Sequence, residues 1–290
     1  FILKNDQIPH PENVGNEYYK PTDFYYADLD GTWDQDNDGI YGESQQYNSN
    51  GIDEISWSPE VYVGRYPAST PGELEIMVNK TIEYEKNPSI GDWMNKMLLA
   101  GAVSDTVGQE PPDGEDEARL TQYIWQNYVL EEMNFTHLYR AVGFTPESPP
   151  LPNTEAYLSQ SSFNTELDSG YSTILFAGHG SPTTFEGRVA GTVYTSSDAQ
   201  ASNNFNMPSL IYGDACTTAS YDVNDGSIGE SLILLENAGA IAYVGSLRVT
   251  WYFTEDYKLD KLNRGNAKLF WKEFFENKKF QPGKALYDSK

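Results

Sequence analysis

The sequence predicts an α/β fold with a mostly parallel sheet and helices on both of its faces. Five short apolar runs, each ended by small or turn-forming residues, are typical of strands that are buried on both sides. Helical patterns alternate with these runs, which is the order expected of parallel strands joined by crossover helices. The chain has 290 residues, enough for one large domain or two coupled subdomains.

The predicted strands lack clean alternation of apolar and polar residues, so neither of their faces is expected to lie against water. They cover residues 97–103, 137–142, 172–178, 210–215 and 240–246. Their even spread along the second part of the chain indicates that the sheet is built there.

Helices are predicted between the strands. Thr70 followed by Pro71 begins the first, whose apolar residues recur at four-residue spacing. Ser227 and Glu230 form a capping-box pattern, and Gly239 is the expected stop of that helix. Further helices are predicted over 117–133 and 267–275.

A subdomain boundary is predicted where Pro and Gly break the helical pattern, in the stretch 87–92. Residues 1–88 then form an acidic, tyrosine-rich N-terminal subdomain, and residues 89–290 form the α/β subdomain. The stretches 108–117 and 145–154 are predicted surface loops, because they are rich in Pro, Gly and acidic residues.

The composition disfavours several classes of partner. With 43 acidic and 19 basic residues, the formal net charge is −24, which disfavours nucleic acid and anionic lipid as partners. It favours calcium, basic peptides and an extracellular setting, although solubility alone is a sufficient reason for such a surface. No membrane-spanning segment is expected, because no apolar run is long enough. A single cysteine excludes an internal disulfide.

That cysteine and one histidine stand at matching places. His179 follows the apolar run 172–177 within Gly178-His179-Gly180, and Cys216 follows the run 210–215. Both are therefore expected just past the carboxyl ends of parallel strands, the edge where open α/β sheets bind ligands. The flanking glycines are expected to let the backbone turn sharply and to leave the imidazole open.

If the two strands are neighbours, a thiol and an imidazole face one crevice. The imidazole can then generate the thiolate nucleophile, and the amides of Gly180 and Cys216 can stabilise an oxyanion. The plainer alternative is a cysteine buried as a small apolar residue beside an ordinary Gly-His-Gly turn.

Alternating acidic residues suggest a cation site near the N-terminus. Asp34, Asp36 and Asp38 precede Gly39, which permits the tight turn that a hard cation needs. The loop is not an EF-hand, because an EF-hand carries Glu at its twelfth position. Here that position is Gln45, and Glu43 is the tenth residue. Zinc is disfavoured by the lack of nearby His and Cys. A plain acidic turn is the alternative.

The strand-Gly-His-Gly and strand-Asp-Ala-Cys arrangement resembles the caspase-like cysteine peptidases, and within them the gingipain-type (C25) family. The supporting stretches span nearly the whole chain in family order: 25–43, 60–67, 84–86, 176–181, 213–216 and 283–290. The resemblance implies a caspase-like three-layer α/β/α fold with two side-by-side subdomains. It also implies a secreted or cell-surface cysteine endopeptidase, acting on peptide or protein substrates, with His179 and Cys216 as catalytic residues.

The same resemblance implies calcium as the bound ion of the acidic loop. Its implied ligands are Asp34, Asp36, Asp38, Glu43 and the carbonyl of Ile40, with Asp28 and Asp30 close enough to assist. A third, acidic residue that orients the histidine is implied ahead of it in the chain. The candidates, among which the sequence does not choose, are Asp113, Glu115, Asp116 and Glu117.

Residues 244–251, after the strand that follows Cys216, are implied to line the substrate cleft. Ser246, Arg248 and Trp251 are the expected substrate-binding residues, with Trp251 as a wall of the pocket. Arg248 is expected at the surface. If its guanidinium instead points into the cleft, it would favour an acidic residue before the scissile bond. The family implies cleavage after Arg or Lys. A transpeptidase on the same site and a calcium-stabilised binding module are the alternative functions.

Overall fold

The structure is a computed structural model. It describes residues 21–37, 39, 41–42, 53–56, 58–105, 117–139, 154–222, 224–253, 256 and 258–290, with the side chains of 154–156 left out. Contacts divide the chain into two compact units, Phe1–Ser69 and Thr70–Lys290. Among the described residues, no helix is long and apolar enough to cross a membrane.

The smaller unit has little regular structure in its described part. It holds helix α1 (Phe24–Ala27) and a single β-bridge between Thr32 and Glu54. The buried carboxylate of Asp28 organises it, because Oδ1 accepts a hydrogen bond from the amide of Gly31 and Oδ2 accepts one from Trp33 Nε1, both at 2.9 Å. These hydrogen bonds satisfy the buried carboxylate and connect parts of the chain that form no regular secondary structure.

The larger unit contains a six-stranded sheet, a three-stranded sheet and the remaining helices. The strands are β1 (Lys96–Gly101), β2 (Asn134–Tyr139), β3 (Thr154–Tyr157), β4 (Thr173–Ala177), β5 (His179–Ser181), β6 (Thr184–Gly187), β7 (Gly191–Thr195), β8 (Ser209–Asp214) and β9 (Ala240–Gly245). The helices are α2 (Pro71–Lys86), α3 (Ala118–Tyr128), α4 (Gln160–Ser169), α5 (Ser196–Gln200), α6 (Ile228–Leu234), α7 (Leu262–Trp271) and α8 (Pro282–Asp288), with a 3-10 turn at Asp92–Asn95 and a π-helix at Lys272–Glu276.

The main sheet confirms the predicted α/β class. Its strand order is β3-β2-β1-β4-β8-β9, and every neighbouring pair is parallel. Strands β4 and β8 are buried at every residue, as the absence of alternation in their sequences predicts. The second sheet, β5-β6-β7, is an antiparallel insertion directly after β4.

Each face of the sheet has its own core, which gives the three layers. On one face, α4, α6 and the small sheet cover residues that include Phe163, Phe176 and Leu232. On the other face, α3, α7 and α8 cover residues that include Leu175 and Trp271. The fold is therefore the three-layer α/β/α arrangement expected from the sequence.

The capping box predicted for α6 is present, and α2 has one as well. Thr70 and Glu73 exchange side chain–backbone hydrogen bonds at the start of α2, and Ser227 and Glu230 do so at α6. The predicted end of α6 at Gly239 is wrong, because α6 ends at Leu234. Gly239 lies instead in the turn before β9 with φ +70°, where a Cβ would lie 2.2 Å from the carbonyl oxygen of Leu232.

A buried lysine bonds to backbone carbonyl groups at and after the end of α6. Lys80 of α2 donates through Nζ to the carbonyls of Ile233 at 2.6 Å, Leu235 at 2.8 Å and Ala238 at 3.1 Å. The carbonyls of Ile233 and Leu235 belong to the end of the helix, where carbonyl groups lack intrahelical donors, and that of Ala238 belongs to the turn that follows. This contact joins α2 to α6, and both helices belong to the compact unit Thr70–Lys290. The subdomain boundary predicted from the sequence lies at 88/89.

Three further predicted elements differ at their ends. Helix α3 ends at Tyr128, short of residue 133, because Val129 takes an extended conformation. The last predicted helix begins earlier, at Leu262, and changes to a π-helix at Lys272. Strand β2 ends at Tyr139, and residues 140–142 of the predicted strand lie outside the described residues.

The last residue of β8 is a buried acid. Asp214 is 4% exposed, and its Oδ1 accepts one hydrogen bond, from Asn263 Nδ2 at 3.0 Å. Oδ2 is buried without a partner among the described residues. Burial, followed by the negative charge of Glu117, raises the pKa of Asp214 to about 7, although Asn263 and the charge of Arg264 act in the opposite direction.

This acid predicts a pH dependence of stability. Between pH 4 and pH 7 the folded state keeps a proton on Asp214 that the unfolded state has released. The free energy of unfolding should therefore fall as pH rises through this window, by at most about 4 kcal/mol from this group. Asp214→Asn should remove that part of the slope in urea unfolding measured at pH 5 and pH 7.5.

Asp92→Asn, at an exposed acid, is the matched control and should keep the wild-type slope. If Asp214→Asn also keeps that slope, the carboxyl group of Asp214 is ionised across the whole range and the prediction is wrong.

Candidate active site

The strand order of the main sheet reverses at β1. The chain continues from β1 to β2 and β3 on one side, and then returns to β4, β8 and β9 on the other. In open parallel sheets, the crevice outside the carboxyl ends at such a reversal is the usual ligand site. Ser104, His179 and Cys216 follow β1, β4 and β8, and therefore lie at this edge.

The strands that precede His179 and Cys216 are neighbours. Ala177 pairs with Asp214 in the parallel register of β4 and β8, and the amide of Gly178 donates to the carbonyl of Asp214 at 3.1 Å. The strands before the histidine and the cysteine are therefore adjacent, which the sequence alone did not establish. His179 and Cys216 each lie half-buried at the same edge of the sheet.

The two glycines beside His179 serve a purpose different from the predicted one. Neither has a positive φ, so a sharp left-handed turn is not the reason for them. A Cβ on Gly178 would lie 2.8 Å from the Cβ of Ala102, and a Cβ on Gly180 would lie 2.8 Å from the carbonyl oxygen of Cys216. They let the chain carrying His179 pack against both neighbouring strand ends.

A backbone carbonyl orients the imidazole. Nε2 of His179 lies 2.6 Å from the carbonyl oxygen of Ser104. Because a carbonyl oxygen only accepts, Nε2 must carry the hydrogen, and in the neutral ring Nδ1 is the nitrogen that accepts a proton. Ser104 was not among the predicted site residues, since a backbone acceptor leaves no mark in the sequence.

The predicted acidic partner of the histidine is found in a different role. Glu117 is buried, and its Oε1 accepts a hydrogen bond from Ser104 Oγ at 2.8 Å. Its carboxylate also pairs with Arg264, so Glu117 stands behind Ser104 and does not bond the imidazole itself. The other candidates, Asp113, Glu115 and Asp116, lie outside the described residues.

The thiol of Cys216 points to the segment after β9. Its Sγ lies 3.7 Å from the carbonyl oxygen and 3.6 Å from Oγ1 of Thr250. Within the described part of the chain, neither the thiol nor the amide of Cys216 is bonded to His179, and the amide donates no hydrogen bond. The next residue, Thr217, has φ 56°, a strained value for a β-branched side chain.

The predicted substrate-binding residues have unequal surroundings. Ser246 Oγ donates to the carbonyl of Arg248 at 2.7 Å. Arg248 is buried and forms two bonds to Asp222, Nη1–Oδ1 at 3.0 Å and Nη2–Oδ2 at 2.5 Å. The expected surface arginine is therefore wrong, and its charge is compensated within the protein. Trp251 is 69% exposed, and Phe253 is 52% exposed.

Two of the five predicted calcium ligands are described. Asp34 is half-buried, with Oδ1 accepting from the amide of Gly39 at 3.3 Å, and Asp36 is exposed. Asp38, Ile40 and Glu43 lie outside the described residues. Carboxylate oxygens of Asp28, Asp30 and Glu60 lie within 4.8 Å of one another in the same unit.

Comparison with known proteins identifies the family. The model of peptidase family C25 matches residues 3–290. Lys-gingipain HG66 of Porphyromonas gingivalis is 27% identical over 248 residues, which cover 84% of this chain and 11% of the relative. Gingipain R2 of the same species is 22% identical over 207 residues, covering 70% of this chain and 24% of the relative. The chain thus spans about 11% of the length of the first of these relatives.

Solved structures agree on the fold. A protease structure superposes with a TM-score of 0.56 at 23% identity, covering 84% of this chain and 44% of the other. The Arg-specific cysteine proteinase gingipain R superposes with a TM-score of 0.55 at 16% identity, covering 80% of this chain and 54% of the other. The predicted gingipain-type membership is confirmed by the family match over nearly the whole sequence. The chain therefore belongs to peptidase family C25.

Proposed function

We propose that this chain is a cysteine endopeptidase in which Cys216 is the nucleophile and His179 its base. The observation that carries the proposal is the placement of both residues past the carboxyl ends of the adjacent parallel strands β4 and β8. Both side chains are half-buried, so they are accessible to substrate while partly shielded from water. Membership of a cysteine peptidase family supports the same reading.

The hydrogen bond to Ser104 suits His179 to the role of base. With its hydrogen on Nε2, the neutral ring accepts the thiol proton at Nδ1. The thiolate adds to the substrate carbonyl carbon, and the carbonyl electron pair moves to oxygen. The imidazolium then donates its proton to the departing amine, which leaves a thioester on Cys216. Water, deprotonated by the same imidazole, hydrolyses the thioester and restores the thiol.

The amide of Cys216 supports the oxyanion role proposed for it. Among described residues it has no acceptor, so it is available to a substrate oxygen. Gly180 packs against the carbonyl oxygen of Cys216 and is the proposed second donor. Two amides aimed at one developing charge stabilise a tetrahedral intermediate without rearrangement.

We expect Cys216→Ala to abolish peptide hydrolysis, because the nucleophilic atom is removed. His179→Ala should lower kcat by about 10²- to 10⁴-fold, the usual contribution of a positioned base. Hydrolysis of a fluorogenic peptide measures both effects, with the intact protein verified by mass spectrometry and the rates compared at equal protein concentration. Thr183→Ala, in the exposed turn of the same hairpin, is the matched control and should keep wild-type kcat. Hydrolysis that survives Cys216→Ala contradicts the assignment.

The alternative functions differ in whether a thioester forms on Cys216 and in which nucleophile consumes it. A transpeptidase passes the acyl group to an added amine in preference to water, so product analysis with an amine nucleophile distinguishes it from a peptidase. A non-catalytic binding module instead forms no thioester, and iodoacetamide labels its thiol no faster than an exposed model thiol. Peptide or protein remains the proposed substrate, and secretion or display at the cell surface the proposed location.

Specificity for Arg or Lys before the scissile bond is proposed on two grounds. Relatives are named Lys-gingipain and Arg-specific gingipain R, and the formal net charge of −24 favours basic peptides. Asp222 compensates Arg248, so a cationic pocket at this position has no support. Trp251, 69% exposed, is a proposed apolar wall for the stem of such a side chain.

A peptide panel tests the specificity. Peptides with Lys should be cleaved about 10- to 100-fold better, in kcat/KM, than matched peptides with the isosteric norleucine, since a charge-assisted hydrogen bond contributes about 1.5–3 kcal/mol. Arg should behave like Lys. Equal rates for Lys and norleucine, or a preference for Asp or Glu, contradict the proposal.

Calcium binding by the acidic loop is a further part of the proposal. The described part fits a hard cation: Asp34 and Asp36 carry carboxylates, and Asn37 and Gly39 have φ 61° and 84°, as a tight turn requires. Asp38, Glu43 and the carbonyl of Ile40 complete the proposed ligand set. A bound cation would reverse the repulsion among these carboxylates and order the loop.

A chelator should lower the melting temperature by several degrees, because an ion bound to the folded state alone contributes about 2.7 kcal/mol at a hundredfold excess over its dissociation constant. Calcium should restore the loss better than magnesium. Asp36→Asn should weaken the response, and Glu85→Gln, which removes an equal charge from the exposed face of α2, should not. An unchanged melting curve in chelator, with no calcium by metal analysis, overturns this proposal.

A further inference from the structure

A buried ion pair stands behind the candidate active site. Arg264 of α7 and Glu117, the residue before α3, bond through Nη2–Oε1 at 2.5 Å and Nε–Oε2 at 3.1 Å. Their side chains are 0% and 4% exposed. Because desolvation offsets much of the attraction in a buried pair, stability alone is a weak reason for its presence. The contacts that the two residues make beyond each other are therefore informative.

One set of contacts leads to the imidazole. Oε1 of Glu117 accepts from Ser104 Oγ at 2.8 Å, and the carbonyl of Ser104 accepts from Nε2 of His179 at 2.6 Å. Ser104 lies past the end of β1 and is buried. The hydroxyl of Ser104 is bonded to the carboxylate of Glu117, while the carbonyl of Ser104 is bonded to the imidazole of His179. The orientation of His179 thus depends on Glu117 through a single intervening residue.

A second set of contacts leads to the thiol. Arg264 Nη1 donates to the carbonyl of Phe253 at 3.2 Å, and its guanidinium lies 4.4 Å from the ring centre of Tyr252. Tyr252 and Phe253 belong to the segment that begins at Thr250. The carbonyl and the hydroxyl of Thr250 contact Sγ of Cys216. The cation therefore holds an irregular stretch of backbone that has no sheet partner in the secondary structure.

We propose that Arg264, together with Glu117, is a positioning residue for the cysteine and histidine of the site. One guanidinium holds the segment beside Cys216 directly and the imidazole of His179 through Glu117 and Ser104. Neither residue touches the reacting atoms. Asp214 is a third titratable group beside the pair, because the charges of Glu117 and Arg264 both act on its pKa. This inference rests on the proposed peptidase function.

The test compares variants that cut this network at different points. Arg264→Met removes the guanidinium but keeps an apolar side chain of similar length. Glu117→Gln keeps the hydrogen-bonding shape without the charge. Ser104→Ala leaves the ion pair whole and breaks only its link to Ser104. Lys268→Met is the matched control, because Lys268 is a buried cation one turn further along α7 that bonds to Asp260 and the carbonyl of Lys258.

Two readouts are taken at a temperature well below the melting point of the weakest variant: the pH profile of Cys216 alkylation by iodoacetamide, and kcat and KM for peptide hydrolysis. Arg264→Met, Glu117→Gln and Ser104→Ala should each move the lower limb of the alkylation profile by at least about half a pH unit. They should lower kcat by about 10- to 100-fold with little change in KM, since misplacement of a catalytic group by about 1 Å costs up to about 10²-fold. Lys268→Met should lower the melting temperature and move neither readout.

If Arg264→Met and Glu117→Gln behave like Lys268→Met, the pair is structural and the inference is overturned. If Arg264→Met fails to fold, Ser104→Ala decides: a moved profile with lower kcat supports the inference, and wild-type behaviour overturns it. Failure of the peptidase function itself is recognised separately, because Cys216→Ala would then leave hydrolysis unchanged whatever the network variants do.

Discussion

Parallel pairing of β4 with β1 on one side and β8 on the other is the constraint on which the candidate site depends. It brings three strand ends to one edge, so the residues that follow them meet although they are far apart in the sequence. The strand order reverses at this place, which prevents a crossover helix from covering the crevice. The thiol, the imidazole and the carbonyl that orients the imidazole are all consequences of this one arrangement.

Close approach of the strand ends also limits which residues the site can contain. The backbone at Gly178 and Gly180 touches Ala102 on one side and Ala215 with Cys216 on the other. Larger residues at either glycine would push His179 away from its neighbours. Ser104 is buried at this edge, and a buried polar group needs a hydrogen-bond partner. The pair of Glu117 and Arg264 meets that need for Ser104 and for the segment that ends at Phe253.

The sequence predicts the buried strands well, because a strand that is covered on both faces carries a continuous apolar signal. It predicts neither the hairpin sheet β5-β6-β7 nor β3, since strands of three to five residues show no reliable periodicity. His179 and Cys216 are found because each follows a predicted strand. Ser104 acts through a backbone atom, and Glu117 and Arg264 are 147 positions apart in the sequence, so no local pattern connects them.

Strain beside Cys216 gives Arg248 a role other than the predicted one. A β-branched residue at positive φ, as at Thr217 with φ 56°, costs on the order of 1–3 kcal/mol and persists only where its surroundings hold it. The amide of Thr217 donates to the carbonyl of Arg248 at 3.2 Å, and the guanidinium of Arg248 is fixed by Asp222. Arg248 thus holds the loop after Cys216, as Arg264 holds the segment around Phe253. Irregular backbone on both sides of the thiol is held by buried arginines, which accounts for their burial in a chain that has only 19 basic residues.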